Sequence, residues 1–500
     1  MPTRRVFLRA SAAAALAAGL AGPALATTRW DRLRRTLSGP LVLPGEPQYP
    51  IAKRLAAAQF DDLNPSAIAY CASPRDVQEC LRFAAHEGTP FAVRSGGHSF
   101  TGWSSGRGLV IDVSGLDGVS VRGGSTVRIG PGATAVDATT ALSPHGLAVA
   151  SGLCPTVAQA GFVSGGGLGW QTRLVGPASD RVRSATVVLA DGRIVRASRH
   201  EEPDLFWAVR GGGGGNFGVV TEFELTPLRV TRVATFSLSW PWDAAPQVIA
   251  AWQQWIDHSP PELATGMGVL LNDAAAGAAP ITVASGAYFG SLERAEAAVS
   301  EFVAAVGVAP LARRVEEVPY DKALMRLFGC GDKTAAQCDL VDHNPEATLP
   351  RQQYIHHRSR MFGSPWPRSG VEDALTAFDA NRRAGQYRWL GMLALGGNAN
   401  AVSADSTAYV HRDASFFSVY SVGLNVPEPN AEERAAATAW VDHGFAAIDP
   451  HSTGRTYLNY PDTALSDWRG AYYGSNYRRL ARVKRHYDPH GLFRFPHAIG

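Results

Sequence analysis

No basic stripe of the kind that tracks a nucleic-acid backbone runs through this chain, and only 18% of its residues are charged. The formal excess of +3 over 500 residues resides in the first 26 positions. Removing them takes Arg4, Arg5 and Arg9 and no acid, which brings the 47 Lys+Arg level with the 44 Asp+Glu. Charge therefore argues against a nucleic-acid partner. Apart from one apolar run, Ala12 to Leu25, long hydrophobic stretches are missing. That run is too short for a bilayer span, so no membrane anchor is expected in the mature chain. CxxC and HExxH spacings are absent, which leaves no metal site to expect. With 45% hydrophobic residues and 52 glycines, the composition is globular rather than disordered, and the length allows two or more lobes.

The apolar run belongs to an address. Thr3-Arg4-Arg5-Val6-Phe7-Leu8-Arg9 is a twin-arginine pattern, and Ala24-Leu25-Ala26 is a small-x-small cleavage site. The expectation is export by the twin-arginine route, a path taken by proteins already folded, to the periplasm or the exterior. Cysteine is also sparse, and its count is odd: Cys71, Cys80, Cys154, Cys330 and Cys338. One is left over in any full pairing. Cys330 and Cys338 are close enough in sequence to pair across a loop; two disulfides and four buried free thiols both remain open.

What the chain has in abundance is glycine at particular places. Arg94-Ser95-Gly96-Gly97-His98-Ser99-Phe100 and Gly152-Leu153-Cys154-Pro155-Thr156-Val157 each set a nucleophile in a glycine-rich loop, and Ser164-Gly165-Gly166-Gly167-Leu168-Gly169 follows. Glycine reaches positive φ without strain and lets amide N–H groups converge on phosphate oxygens. Gly213-x-Gly215-x-x-Gly218 matches the dinucleotide fingerprint, but Val219 to Leu225 after it alternates like a strand where the fingerprint needs a helix, so a nicotinamide site is rejected.

Around these loops, residues 29–60 read as a helical lead-in, 67–70 as a strand, and 74–88 as a helix capped by Ser73 with Pro74 in its first turn. Short strands follow at 91–93, 109–113, 119–121 and 126–129, then a helix at 133–142 closed by Gly146. A hairpin joins 185–189 to 194–197 around Asp191-Gly192, and a short helix covers 204–209. After Pro227 the texture changes. Helices at 245–256, 292–306 and 371–383 alternate with strands at 233–238, 281–288, 389–395 and 416–425. The domains read as 1–26 signal, 27–228 cofactor-binding, 229–454 substrate-binding, and 455–500 as a segment returning to the first domain.

Together the motifs resemble the berberine-bridge-enzyme-like FAD-linked oxidases of the vanillyl-alcohol oxidase superfamily. Further matching pieces are Asp204 through Gly218, Thr407-Ala408-Tyr409-Val410-His411-Arg412, Tyr457-Leu458-Asn459-Tyr460-Pro461-Asp462, Tyr472 through Asn476, and Tyr487-Asp488-Pro489. The resemblance implies an α+β fold: a two-part PCMH-type FAD-binding domain and a substrate domain with an antiparallel sheet covered by helices. It implies FAD held bicovalently, through the 8α position by His98 and through carbon 6 by Cys154. It assigns Arg94, Ser95, Gly96, Gly97, Ser99, Val157, Gly161, Ser164, Gly165, Gly166, Gly169, Gly218, Val220 and Asn459 to the cofactor site as well.

The activity this implies is oxidation of an alcohol-type carbon of a bulky small molecule, a sugar or oligosaccharide or a natural-product intermediate. Hydride passes to flavin, and dioxygen is reduced to hydrogen peroxide. Val157 stands where a smaller side chain leaves room for dioxygen. Tyr457 and Tyr460, flanking Asn459, are the candidates for proton removal, with Tyr460 the first choice. The strand 389–397 contains no acid, a departure from members that oxidise alkaloids, and His411 reads as structural. Two alternatives stand beside this reading: a dehydrogenase using a non-oxygen acceptor, and a non-catalytic exported binding protein.

Overall fold

The computed structural model describes residues 28–500; the export address read at 1–26 lies outside them. The fold is α+β, as read from the motifs.

Ala67–Tyr70 and Leu109–Asp112 are buried at every position, the signature of strands covered on both faces. They pair in parallel with each other, and Phe91–Arg94 pairs in parallel with the latter, while Leu41–Val42 adds an antiparallel edge. Pro74–Glu87 crosses between them. The Ser73 side chain accepts the Asp76 N–H, and Gly88 ends the helix at φ 60°. The lead-in departs from expectation. Only Arg29–Thr36 is a full helix, followed by the short Tyr49–Ala52 turn of helix and a 3-10 turn at Ala58–Phe60. Pro40, Pro44, Pro47 and Pro50 remove the N–H groups a longer helix would need.

A second, wholly antiparallel sheet runs in the order Val119–Arg122, Thr126–Ile129, Val219–Leu225, Val182–Val188, Ile194–Ser198. The glycine run at 211–218 thus leads into a central strand and not into the helix the dinucleotide fingerprint needs.

The third sheet has seven antiparallel strands: Ala312–Pro319, Arg232–Pro241, Ile281–Tyr288, Leu263–Leu271, Gln386–Ala394, Phe416–Leu424 and Tyr354–Phe362. Ala245–His258, Leu292–Val306, Arg368–Asp379 and Ala431–Ile448 cover one face and share its core. Met361, Leu393, Phe417 and Val419, on the other face, pack with Leu168, Tyr409, Tyr457 and Tyr460. This uncovered side of the sheet is the side turned to the glycine loops.

The C-terminal segment packs into the core of the second sheet through Leu480, Val483, Tyr487 and Ile499. Lys484 Nζ donates to the Asn216 carbonyl at 2.7 Å, and Ile499 N–H donates to Asn216 Oδ1 at 3.0 Å. Cys330 and Cys338 form a disulfide, whereas Cys71 and Cys80 are buried free thiols. The outcome lies between the two open readings. Among the described residues no helix is long and apolar enough to cross a membrane.

Candidate active site

The loop bearing His98 leaves the sheet at Arg94, which is fully buried against Asp112. The Arg94 side chain thereby anchors the loop inside the fold. The two nucleophile loops lie backbone against backbone. A Cβ at Gly96 would stand 2.9 Å from Ala158 N, and the Ser95 hydroxyl donates to the Pro131 carbonyl at 2.7 Å. Pro131 in turn accepts from Ala160, and Val157 and Pro155 accept from Ala135 and Val136. Gly96 is required by protein packing, and so is Gly169, whose Cβ would strike the Ser151 carbonyl at 1.9 Å.

His98 Nε2 is 2.9 Å from the Thr156 hydroxyl. Burial, reinforced by His343, lowers the His98 pKa to about 4 against a weaker opposing pull from Asp339. A neutral imidazole is the nucleophilic form. Cys154 is exposed, although protein surrounds it closely enough to raise its thiol pKa. Beside it Leu153 is 55% exposed, an apolar surface in a loop flanked by buried residues.

Three side chains come from the C-terminal segment. The Tyr457 oxygen accepts from Gly167 N–H at 2.9 Å, Leu168 N–H at 3.1 Å and Asn459 Nδ2 at 2.8 Å. Burial pushes its pKa up to about 12, with those three donors pulling the other way. Asn459 also donates to the Phe162 carbonyl at 3.1 Å. Its side chain fills the place where a Cβ on Gly165 would be, and Tyr409 does the same over Gly166. Tyr460 lies within electrostatic reach of Cys154. Its ring meets Phe100 at 5.2 Å, His357 at 4.9 Å and Phe417 at 5.0 Å between centroids. Burial raises its pKa with no hydrogen bond to offset it.

The remaining assigned residues divide. Val157 is half-buried at the edge of the second core. Gly161 has nothing within 4 Å of its Cβ position. The Ser99 hydroxyl contacts Thr101 and accepts from Trp103 N–H, while the Ser164 carbonyl accepts from Gly211 and Gly213. A Cβ at Gly218 would press on Val187 and Val188, and Val220 is buried in the strand that follows. His411 is buried beside Tyr409, consistent with a structural role.

Sequence reasoning missed His357 and Trp389. Trp389 lies flat on the sheet: a Cβ at Gly391 would stand 1.9 Å from its Nε1, and one at Gly268 2.6 Å from its ring. The glycines at 268 and 391 were the available signal. A cavity of about 760 Å³ elsewhere, lined by Arg183, Arg196, Arg199, Arg210 and Arg479, contains none of the groups named here.

The residues fit a flavin. Two nucleophiles adjoin exposed apolar surface, and the buried Ser151 hydroxyl and Gln159 Oε1 have no hydrogen-bond partner among the described residues. The comparisons agree. Residues 65–198 match an FAD binding domain, and 456–500 match the family described as berberine and berberine like. The chain is 29% identical to a chitooligosaccharide oxidase of Gibberella zeae, with 87% of each chain covered. It is 28% identical to the aclacinomycin-N/aclacinomycin-A oxidase of Streptomyces galilaeus, over 85% of this chain and 82% of that one. The solved Physcomitrella patens BBE-like 1 superposes with a TM-score of 0.84 at 23% identity, covering 95% of this chain and 99% of that one. With its FAD-binding domain, its C-terminal segment similar to the berberine and berberine like family and this shared architecture, the protein resembles the berberine-bridge-enzyme-like FAD-linked oxidoreductases and is an FAD-dependent oxidoreductase.

Proposed function

We propose that the protein is an exported oxidase that converts a hydroxyl-bearing carbon of an oligosaccharide, holds FAD covalently through both His98 and Cys154, and uses dioxygen as acceptor, releasing hydrogen peroxide. The observation that carries the reading is the set of two nucleophiles on adjoining glycine loops beside a tyrosine oxygen that three N–H groups hold. When bound, the flavin supplies a hydride acceptor and a two-electron donor to oxygen.

The chain supplies the rest. Thr156 engages Nε2 of His98, which leaves Nδ1 for attachment. Burial raises the pKa of both tyrosines, but the three N–H donors on Tyr457 pull its value back while nothing does so for Tyr460, so the phenolate that must take the proton is the more accessible one at Tyr457. This reverses the preference drawn from sequence. Trp389 supports the carbohydrate reading. Its ring lies flat against the sheet and borders the cluster that contains Tyr457 and Tyr460. The C–H face of a sugar ring is attracted to the negative face of an indole. The Cys330–Cys338 disulfide is consistent with export to an oxidising compartment.

Acid-precipitated protein is expected to stay yellow, and His98→Ala and Cys154→Ala are each expected to keep one bond. Release of all flavin into the supernatant would overturn covalent attachment. A peroxide screen across oligosaccharides, simple alcohols and polyphenols tests the substrate class, and turnover of polyphenols alone would refute the sugar reading. Replacing Arg4 and Arg5 by Lys should retain the precursor in the cytoplasm; unchanged export would remove the twin-arginine assignment.

A further inference from the structure

His357 belongs to the least hydrogen-bonding part of the site, yet it is a strongly polar side chain. It sits on Tyr354–Phe362, the edge strand of the seven-stranded sheet, and is 5% exposed. Both ring nitrogens are buried, and neither has a hydrogen-bond partner among the described residues. Its neighbours are the edges and faces of Phe100, at 4.3 Å between centroids, and Tyr460, at 4.9 Å. Phe100 is two residues from His98 on the same loop. Native folds rarely keep a buried polar side chain with no partner at all, because each desolvated nitrogen is a loss that water had made good in the unfolded chain. An apolar residue there would pack against Phe100 and Tyr460 without that loss. The fold thus holds a group for a partner that comes from outside it.

The register identifies the kind of partner. His357 pairs with Ser421, and Ser421 pairs on its other side with Trp389. Residues paired directly across neighbouring strands point to the same face. His357, Ser421 and Trp389 therefore form one row across the sheet, on the side that carries Phe417 and packs toward Tyr457 and Tyr460. Strands are spaced about 4.8 Å apart, so the backbones of His357 and Trp389 stand about 10 Å apart along the row, and the indole extends from there over Gly391 and Gly268, away from His357. Burial lowers the His357 pKa to about 3, so the ring is neutral at working pH and has one accepting and one donating nitrogen.

We propose that His357 is a catalytic residue that hydrogen-bonds the hydroxyl undergoing oxidation and fixes it against the tyrosine pair, while the next ring of the substrate lies on Trp389. The inference rests on the proposed function and names the contact at its reacting end. No covalent step is assigned to His357: it orients the hydroxyl, and the proton passes to the tyrosine oxygen. Fixing the reacting atom in place is a recognised source of rate.

The test uses the full flavinylated protein and two variants. His357→Leu removes both nitrogens at similar volume, and His357→Gln keeps a donor and an acceptor without the ring. Anaerobic flavin reduction is followed by stopped flow with a chitooligosaccharide and a glucooligosaccharide. The expected result is a ten- to hundredfold slower reduction in His357→Leu with recovery of most of that loss in His357→Gln, unchanged reoxidation in air, unchanged covalent flavin, and a melting temperature for the ligand-free His357→Leu that equals or exceeds the parent's. Reduction of His357→Leu at the parental rate overturns the proposal. So does a fall in melting temperature in both variants that tracks their loss of rate, since His357 would then be structural. If sugars fail to reduce the parent but a phenolic or aliphatic alcohol does, the carbohydrate reading falls, and the same comparison is made with that alcohol, because the inference requires a hydroxyl and not a sugar.

Discussion

Tyr457 offers one oxygen to three N–H donors, and Tyr460 offers its oxygen to none among the described residues. Removing the first oxygen should therefore matter more. Tyr457→Phe is expected to slow anaerobic flavin reduction by about a hundredfold or more, the usual scale for losing a general base, while reoxidation in air stays parental. Tyr460→Phe should cost less. The reverse order in stopped-flow rates would return the role to Tyr460. Val157 is tested by the opposite half-reaction: Val157→Leu should slow reoxidation by dioxygen and leave reduction by substrate intact, and equal reoxidation rates would show that its size does not gate oxygen. At this scale the sequence was informative wherever a motif is local. His98, Cys154 and the Tyr457-to-Tyr460 run could be picked out because each lies in a short, compositionally distinct loop. It says less where a residue type has two uses. Arg94, Gly218 and Val220 sit inside the same motifs with their side chains or Cβ positions against protein, and no spacing separates a glycine that admits a ligand from one that admits a neighbouring strand.

Among elements, the best-read ones were those with caps or clean alternation. Leu292–Val306 begins at Ser291, which accepts from Arg294 N–H, and ends at Gly307 with φ 73°, so both its ends are written locally. Val219–Leu225 and Ile281–Tyr288 were legible from β-branched alternation. Leu263–Leu271, Ala312–Pro319 and Tyr354–Phe362 were not anticipated. The first contains two glycines, the second is a charged edge strand, and the third carries His356, His357, Arg358 and Arg360. Each breaks strand preference for a tertiary reason: glycine for Trp389, charge for an exposed edge, histidine for the site. The Trp389 platform gives this scale its prediction. Gly391→Ala places a methyl where the indole Nε1 lies, so the ring must lift from the sheet. The expected outcome is a raised KM for long oligosaccharides with covalent flavin and kcat for the shortest substrate preserved. A parental KM on the long substrates would remove Trp389 from substrate binding.

For the whole molecule, acid is the informative stress. Burial lowers the pKa of His357 and of His411 to about 3 each, whereas an unfolded histidine titrates near 6.5. Between those values the unfolded chain binds protons that the native fold refuses, so stability rises with pH across this window. It is fully present above about 6.5 and is progressively lost as pH falls toward 3. The melting temperature should drop over that range, and His357→Leu should flatten the drop. A variant whose acid profile overlays the parent's would show that His357 does not contribute to it.

The contacts of the last residues with Asn216 have a consequence in time. Asn216 belongs to the glycine run at 211–218, but the groups that bind it, Lys484 and the N–H of Ile499, come 268 and 283 residues later in the chain. Tyr457 and Asn459, which close on Gly167 and Phe162, come only about forty residues sooner. His98 and Cys154 are thus synthesised long before Tyr457. A chain that stops before residue 457 carries His98 and Cys154 without Tyr457, and without the Leu480, Val483 and Tyr487 side chains that complete the core of the second sheet. The glycine run at 211–218 therefore gains these partners only after residues 484 to 499 have been made.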